Sequence, residues 1–101
     1  MTAIAAYQNR LRALVDEAKG TDGLRELARR MGDENLRTSL SYWLKENLSR
    51  PLLPASYTAL AKVDPHGRNA SEIEYWLRTG KELPKVEGVT QPVLMRALLA
   101  S

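Results

Sequence analysis

The sequence contains no cysteine, so it can form neither a disulfide nor a thiolate metal site. No apolar run approaches the roughly 20 residues that a membrane-spanning helix needs, and we expect no membrane partner. Residues 1–10 lack the basic start and the apolar core of a secretory signal. These absences predict a cytoplasmic protein.

Residues with which enzymes carry out catalysis are also scarce. His66 is the only histidine, and no second histidine or cysteine could join it in a metal site. Asp64 fits the chemistry of the turn around Pro65 better than a catalytic triad with His66. The sequence has no glycine-rich phosphate loop. It therefore predicts no enzyme, no metal and no cofactor.

No segment alternates polar and apolar residues over the length of a strand. Apolar residues recur instead at steps of three and four, which is the spacing of one helix face. The sequence predicts an all-α protein, a compact bundle of about six short helices in a single domain over 1–101. Such short helices are marginal alone and depend on packing.

The helix boundaries in the first half follow from capping residues. A stripe that begins at Ile4 and Tyr7 predicts a first helix over 3–19, ended by Gly20. Asp22 is the expected N-cap of a short second helix that closes at Gly32. After the polar turn 33–35, the third helix is predicted to begin at Thr38 or Ser39. The apolar side of that helix consists of Leu40, Trp43, Leu44 and Leu48.

In the second half, Pro51 and Pro54 are predicted to bar helix and form a stiff connector. Ser56 is the expected cap of a fourth helix, before the turn 64–67. Ser71-Glu72-Ile73-Glu74 has the form of a capping box and predicts a fifth helix that ends at Gly80. A second connector from Leu83 to Gly88 leads to a last helix over 90–101. That helix is expected to bury Val93, Leu94, Ala97 and Leu98.

A short motif occurs twice. Tyr42-Trp43-Leu44-Lys45 returns as Tyr75-Trp76-Leu77-Arg78, and Leu27-Ala28-Arg29 returns as Leu60-Ala61-Lys62, both at an offset of 33 residues (75 − 42 and 60 − 27). Both tryptophans of the chain fall at the same place in the repeat. A period of this length indicates a duplicated supersecondary unit, here over 22–50 and 55–83. Duplication predicts two indoles buried in equivalent surroundings.

The first repeat resembles the helix-turn-helix of the Cro/C1-type repressor family over roughly residues 3–63. Leu27, Ala28, Met31 and Gly32 match the first half of that motif, in which the small alanine lets two helices cross closely. Leu40 and Trp43 match its later core positions when the turn is about two residues longer than the family's. The second repeat departs further, with Asp64 and Pro65 in place of Met31 and Gly32. The resemblance implies two tandem helix-turn-helix-like repeats and a helix that enters the DNA major groove.

The resemblance also implies which residues contact DNA. Candidates on or near the exposed face of the second helix are Arg37, Thr38, Ser39, Ser41, Tyr42 and Lys45. Candidates for contacts with the DNA backbone are Arg29, Arg30 and Arg50. Secondary candidates in the second repeat are Arg68, Asn69, Ser71 and Arg78. Because Glu72 and Glu74 would be repelled by phosphates, we expect the first repeat to read DNA and the second to support it.

Each of these residues also has a structural interpretation. Core anchoring explains Trp43 and Trp76 better than base stacking does. Helix packing is an alternative for Tyr42 and Tyr75, and a solvated face is one for the arginines. Glu72 and Glu74 also suit the first turn of a helix, where carboxylates favour the positive end of the helix dipole.

The function expected from these patterns is sequence-specific binding of double-stranded DNA, as in a bacterial or phage transcriptional regulator. A homodimer is the preferred arrangement, and tandem binding by the two repeats of one chain is the other. The net charge of +3 and the pI near 9.4 are compatible with a polyanionic partner. The alternative is a helical protein-interaction module, an adaptor or inhibitor that does not touch DNA. An RNA partner fits less well, because no basic-aromatic sheet surface or glycine-rich clamp is present.

Overall fold

The computed structural model describes residues 2–84 and 91–100. These residues form the helices α1 (Ala3–Lys19), α2 (Leu24–Arg30), α3 (Leu36–Lys45), α4 (Pro54–Ala61), α5 (Ala70–Thr79) and α6 (Gln91–Ala100). No strand occurs in the described ranges, and the predicted all-α bundle is confirmed. None of the helices there is long and apolar enough to cross a lipid bilayer.

The helices pack in two sequential pairs, α2 with α3 and α4 with α5, and α1 contacts α2, α3 and α5. Helix α5 also contacts α6, so α1 and α5 together form the centre of the bundle. The stripe predicted on α1 faces this centre, with Leu11, Leu14 and Val15 fully buried. The other fully buried large side chains are Leu27, Met31, Leu40, Leu60, Ile73 and Leu77.

Two helix ends lie where glycine predicts them. The amide of Gly20 donates to the Asp16 carbonyl at 3.0 Å and ends α1 at a φ of 58°. Gly80 ends α5 in the left-handed region, at a φ of 77°. A Cβ at Gly80 would also lie 2.8 Å from the guanidinium of Arg10, so both conformation and space favour glycine there.

The predicted N-cap of α2 is wrong by one residue, and the predicted start of α3 is wrong by two or three. Gly23, not Asp22, is the N-cap of α2, and the Asp22 carboxylate instead accepts from Arg30 at 3.4 Å. Helix α3 begins at Leu36 rather than at Thr38 or Ser39. The first amides of α3 donate to the carbonyls of the turn 33–35, so neither hydroxyl is needed as a cap.

The starts of α4 and α5 differ from the prediction for a similar reason. Pro54 does not bar helix but begins α4, where its missing N–H is no loss, and Ser56 lies inside the helix. The capping box of α5 is formed by Asn69 and Glu72 rather than by Ser71. The Asn69 side chain accepts from the Glu72 amide at 2.9 Å, and the Glu72 carboxylate accepts from the Asn69 amide at 3.1 Å.

The two indoles do not have equivalent surroundings, contrary to the expectation from duplication. Trp43 belongs to the core and is 5% exposed, whereas Trp76 is half-buried with the Arg68 guanidinium 4.2 Å from its ring centroid. Tyr42 is 53% exposed and its counterpart Tyr75 only 8%. For the tyrosines the reason is position in the bundle: α3 packs only on α1 and α2, whereas α5 is flanked by α1, α4 and α6 in the described part of the chain.

The apolar side predicted for α6 is half right. Leu94 and Leu98 are partly buried, whereas Val93 is 57% exposed and Ala97 is exposed as well. Among the described elements α6 packs on α5 alone, so only one narrow face is covered. Of the predicted connector from Leu83 to Gly88, residues 85–88 lie outside the described residues.

Candidate nucleic-acid interface

One side of α3 presents the predicted polar residues as a continuous face. Arg37, Ser41 and Lys45 follow at steps of four, which aligns them along the helix. Together with Thr38 and with Leu24 of α2 they line an open groove of about 390 Å³. The structure therefore brings four of the predicted contact residues together beside the α2–α3 turn.

The cations of this groove have no carboxylate partner. The side chains of Arg37 and Lys45 are exposed and form no ion pair or hydrogen bond within the described residues. The side chain of Arg25 is also exposed and has no partner among the described residues. It lines an adjoining recess with Arg37 and Glu34. Positive charge on this face is thus available to an external anion.

The orientation of α3 is fixed by its buried side. Leu40 is fully buried and Trp43 almost so, which turns the opposite side, with Thr38 and Lys45, to solvent. Gln8 of α1 holds the far end of the helix. Its side-chain amide donates to the carbonyls of Trp43, at 2.8 Å, and Glu46.

Sequence reasoning missed Gln8. Its side-chain oxygen accepts from the Leu48 amide at 3.0 Å, so one buried residue satisfies backbone groups on both sides of the α3 terminus. A signal was present in the sequence, because Gln8 directly follows Tyr7 and precedes Leu11 in the apolar stripe of α1. A polar side chain beside such a stripe requires hydrogen-bond partners when it is buried.

Ser39, Tyr42 and Arg50 lie on a different groove from Thr38 and Lys45. This second groove, of about 450 Å³, lies between α3 and the connector to α4 and also includes Leu53. Arg50 is exposed and has no ion-pair partner among the described residues. The predicted contact residues therefore divide between two grooves that flank the exposed ridge of α3.

Arg29 and Arg30 are exposed but already have partners within the protein. Arg29 forms a two-pronged ion pair with Glu26, at 2.5 and 2.9 Å. That hydrogen bonding lowers the pKa of Glu26 and raises the pKa of Arg29. Arg30 donates to the Ala18 carbonyl at 3.0 Å and pairs with Asp22. Both arginines therefore carry less free positive charge than Arg37 and Lys45.

Among the secondary candidates, Arg68 must be withdrawn. Its side chain is 7% exposed and forms two hydrogen bonds with the Asp64 carboxylate, at 2.8 and 3.0 Å. The plane of its guanidinium lies over Trp76, and its remaining nitrogen, Nη1, lies 3.8 Å from the Glu82 carboxylate, so the Arg68 charge is already engaged within the protein. Asn69 serves as the cap of α5, and Arg78 is paired with Glu74 at 3.0 Å.

Ser71 is half-buried in the first turn of α5. The structure thus gives the second repeat no basic face like that of α3: Arg68 is buried, and the Arg78 charge is offset by Glu74.

No protein-family model, curated protein or solved structure matches the chain. In the described residues, no group of three or more histidine, aspartate or glutamate side chains is placed to hold a metal ion. The feature that distinguishes this surface is the unpaired basic face of α3, with the side chains of Thr38 and Ser41 beside it.

Proposed function

We propose that this protein binds double-stranded DNA in a sequence-specific manner and acts as a small transcriptional regulator of the bacterial or phage type. The observation that carries the proposal is the exposed face of α3, on which Arg37 and Lys45 lack any described carboxylate partner. An α-helix with its side chains is about 10–12 Å wide, which suits a major groove about 12 Å wide.

The residues of this face have distinct roles in the proposal. Arg37 lies in the first turn of α3 and presents a planar fork that can pair with a guanine edge. Thr38 and Ser41 can donate to bases or phosphates. Lys45, the last residue of α3, and Arg50, beyond the helix, are suited to phosphates near the C-terminal end of α3.

A homodimer is part of the proposal because one α3 covers little DNA. The helix has ten residues, which at about 1.5 Å per residue is roughly 15 Å of reading surface. A two-fold dimer reads successive turns of the same DNA face when its two α3 helices lie about 34 Å apart. A palindromic site is the expected target.

Selection of bound sequences from random duplex DNA tests the proposal. A palindromic consensus is expected, and Arg37→Ala with Lys45→Ala should weaken binding to it at least tenfold. The matched control is Lys81→Ala with Arg96→Ala, which removes the same charge outside the α3 grooves. Absence of any enriched sequence, or equal losses in both double variants, would contradict the proposal.

A protein-interaction module is the second candidate, and one observation favours it. Leu53 is 69% exposed and Tyr42 53%, and both line the second groove. Exposed aromatic and aliphatic side chains at a concave surface are typical of protein contacts. A partner that co-purifies after nuclease treatment and is lost with Leu53→Ser would support this function instead.

A further inference from the structure

An open pocket beside the second groove lies where α1, the α3–α4 connector, α5 and α6 meet. It has a volume of about 340 Å³. Its apolar walls come from Ile4, Tyr7, Pro51 and Leu99, and two arginines, Arg50 and Arg78, also belong to its lining. Pockets that bind small molecules are mostly apolar with a few polar groups, and this volume is near the lower end of their range of about 300–1,000 Å³.

The charge of the pocket is positive but small. Arg50 pairs with no described carboxylate, whereas Arg78 donates through its Nε to Glu74 at 3.0 Å and keeps its terminal nitrogens for other acceptors. Two guanidiniums and one carboxylate leave a single net positive charge. Burial raises the pKa of Tyr7, whose side chain therefore stays neutral in this wall.

We propose that this pocket binds a small monocarboxylate with an apolar body, such as an aryl or short alkyl carboxylate. The planar guanidinium fork of Arg50 matches a carboxylate, and Ile4 and Leu99 would cover the apolar part of the ligand. A phosphate monoester carries nearly two negative charges at neutral pH. Attraction to a local charge of one grows in proportion to the ligand charge, whereas the cost of removing the ligand from water grows with the square of that charge, so the carboxylate is favoured over the dianion.

The pocket also shares residues with the proposed DNA surface. Arg50 and Pro51 line both this pocket and the groove beside Tyr42. The connector is held to α1 at the residue after Pro51, where the Leu52 amide donates to the Tyr7 hydroxyl at 3.0 Å. A carboxylate that engages Arg50 removes this cation from phosphate contact, so the ligand would weaken DNA binding. This consequence, unlike ligand binding itself, rests on the proposed function.

Ligand binding is tested first, without DNA, by NMR titration of the intact chain with benzoate and hexanoate. Saturable shifts are expected at Ile4, Tyr7, Arg50 and Leu99, and the neutral isostere benzyl alcohol and the dianion phenyl phosphate should bind at least tenfold more weakly. No saturable shifts at these residues with either carboxylate would overturn the proposal. Equal affinity for benzyl alcohol or for phenyl phosphate would also overturn it.

Paired variants locate the site. Leu99→Trp places a large ring in the pocket wall and should weaken benzoate binding at least tenfold, whereas Val93→Trp, on the same helix but outside the lining, should not. Arg50→Gln should lower the affinity about tenfold or more through loss of the charged hydrogen bonds. Circular dichroism checks that each variant is folded. Unchanged affinity in both Leu99→Trp and Arg50→Gln would place the ligand elsewhere and overturn the proposal.

The effect of the ligand on DNA binding is then measured with the selected duplex. Saturating benzoate should weaken DNA binding by the wild-type chain and have no effect on Leu99→Trp, whose substitution lies outside the α3 grooves. Failure of the selection with intact benzoate binding would refute DNA binding but leave the pocket in place. Tight DNA binding without benzoate shifts would refute the pocket alone.

Discussion

At the scale of single residues, the cluster of Asp64, Arg68 and Trp76 shows best how burial redirects a charged side chain. The Asp64 side chain is fully buried, and its carboxylate also accepts from the Arg68 amide at 2.8 Å. The spacing of four residues between opposite charges was visible in the sequence. The ion pair that this spacing predicts rules out the DNA contact that the family resemblance implies for Arg68, because a buried arginine with a bidentate partner is not available to DNA.

Substitution of Arg68 should therefore cost stability and not DNA binding. Arg68→Ala leaves a buried carboxylate unpaired and exposes the face of Trp76, and we expect a loss of about 3 kcal/mol in the free energy of unfolding. Urea denaturation measures it. Arg78→Ala is the control, since it breaks the more exposed pair with Glu74 and should cost about 0.5 kcal/mol or less. Similar losses in the two variants would contradict this account.

The same cluster should make stability depend on pH. Burial alone would raise the pKa of Asp64, but hydrogen bonds from Arg68 outweigh it and hold that pKa below its ordinary value. Because the folded-state pKa is depressed, the stabilisation is present above the unfolded-state pKa near 4 and is lost as the pH falls through the folded-state value. Urea midpoints should decrease from about pH 4 downward. Asp64→Asn should decrease less steeply over that window; an equal slope would contradict the assignment.

At the scale of the elements, the sequence was sufficient for the positions of the helices but not for all of their starts. Apolar stripes mark α1 to α5, and left-handed glycines mark the ends of α1 and α5. Starts are harder because neighbouring caps compete: Asn69 with Glu72 and Ser71 with Glu74 have the same spacing. The first pair forms the box, whereas the carboxylate of Glu74 pairs with Arg78 instead.

The hydrogen bonds that hold the end of α3 to α1 come from the side chain of Gln8. Gln8→Ala removes both donors and the acceptor, which leaves the carbonyls of Trp43 and Glu46 and the amide of Leu48 without this partner. We expect a loss of about 2 kcal/mol in the free energy of unfolding, measured by urea denaturation. Asp16→Ala, an exposed site on the same helix, should change it by about 0.5 kcal/mol or less. A Gln8→Ala effect no larger than this control would mean that α1 does not hold α3.

At the scale of the whole molecule, the neighbours of each helix decide whether equivalent residues of the two repeats are buried alike. The 33-residue echo places Leu40 and Ile73 alike in the core. It does not place Tyr42 and Tyr75 alike, because α5 has neighbours where α3 faces solvent. Sequence patterns along each helix could predict the polar face of α3. These patterns could not predict that the candidate contact residues divide between two grooves, since the connector 46–53 forms one wall of the second groove.

Binding of DNA by the whole protein should depend on salt in a way that separates Arg37 from Lys45. Each phosphate contact contributes a slope of about 0.9 to the logarithmic dependence of affinity on salt concentration, through release of counterions. Lys45→Ala should make that slope shallower by about 1 and weaken binding to all sequences alike. Arg37→Ala should instead cost about 1–3 kcal/mol on the selected site and relax the preference at one base pair. Fluorescence anisotropy over a salt series measures both, with Lys81→Ala as control; equal slopes for Lys45→Ala and Lys81→Ala would remove Lys45 from the interface.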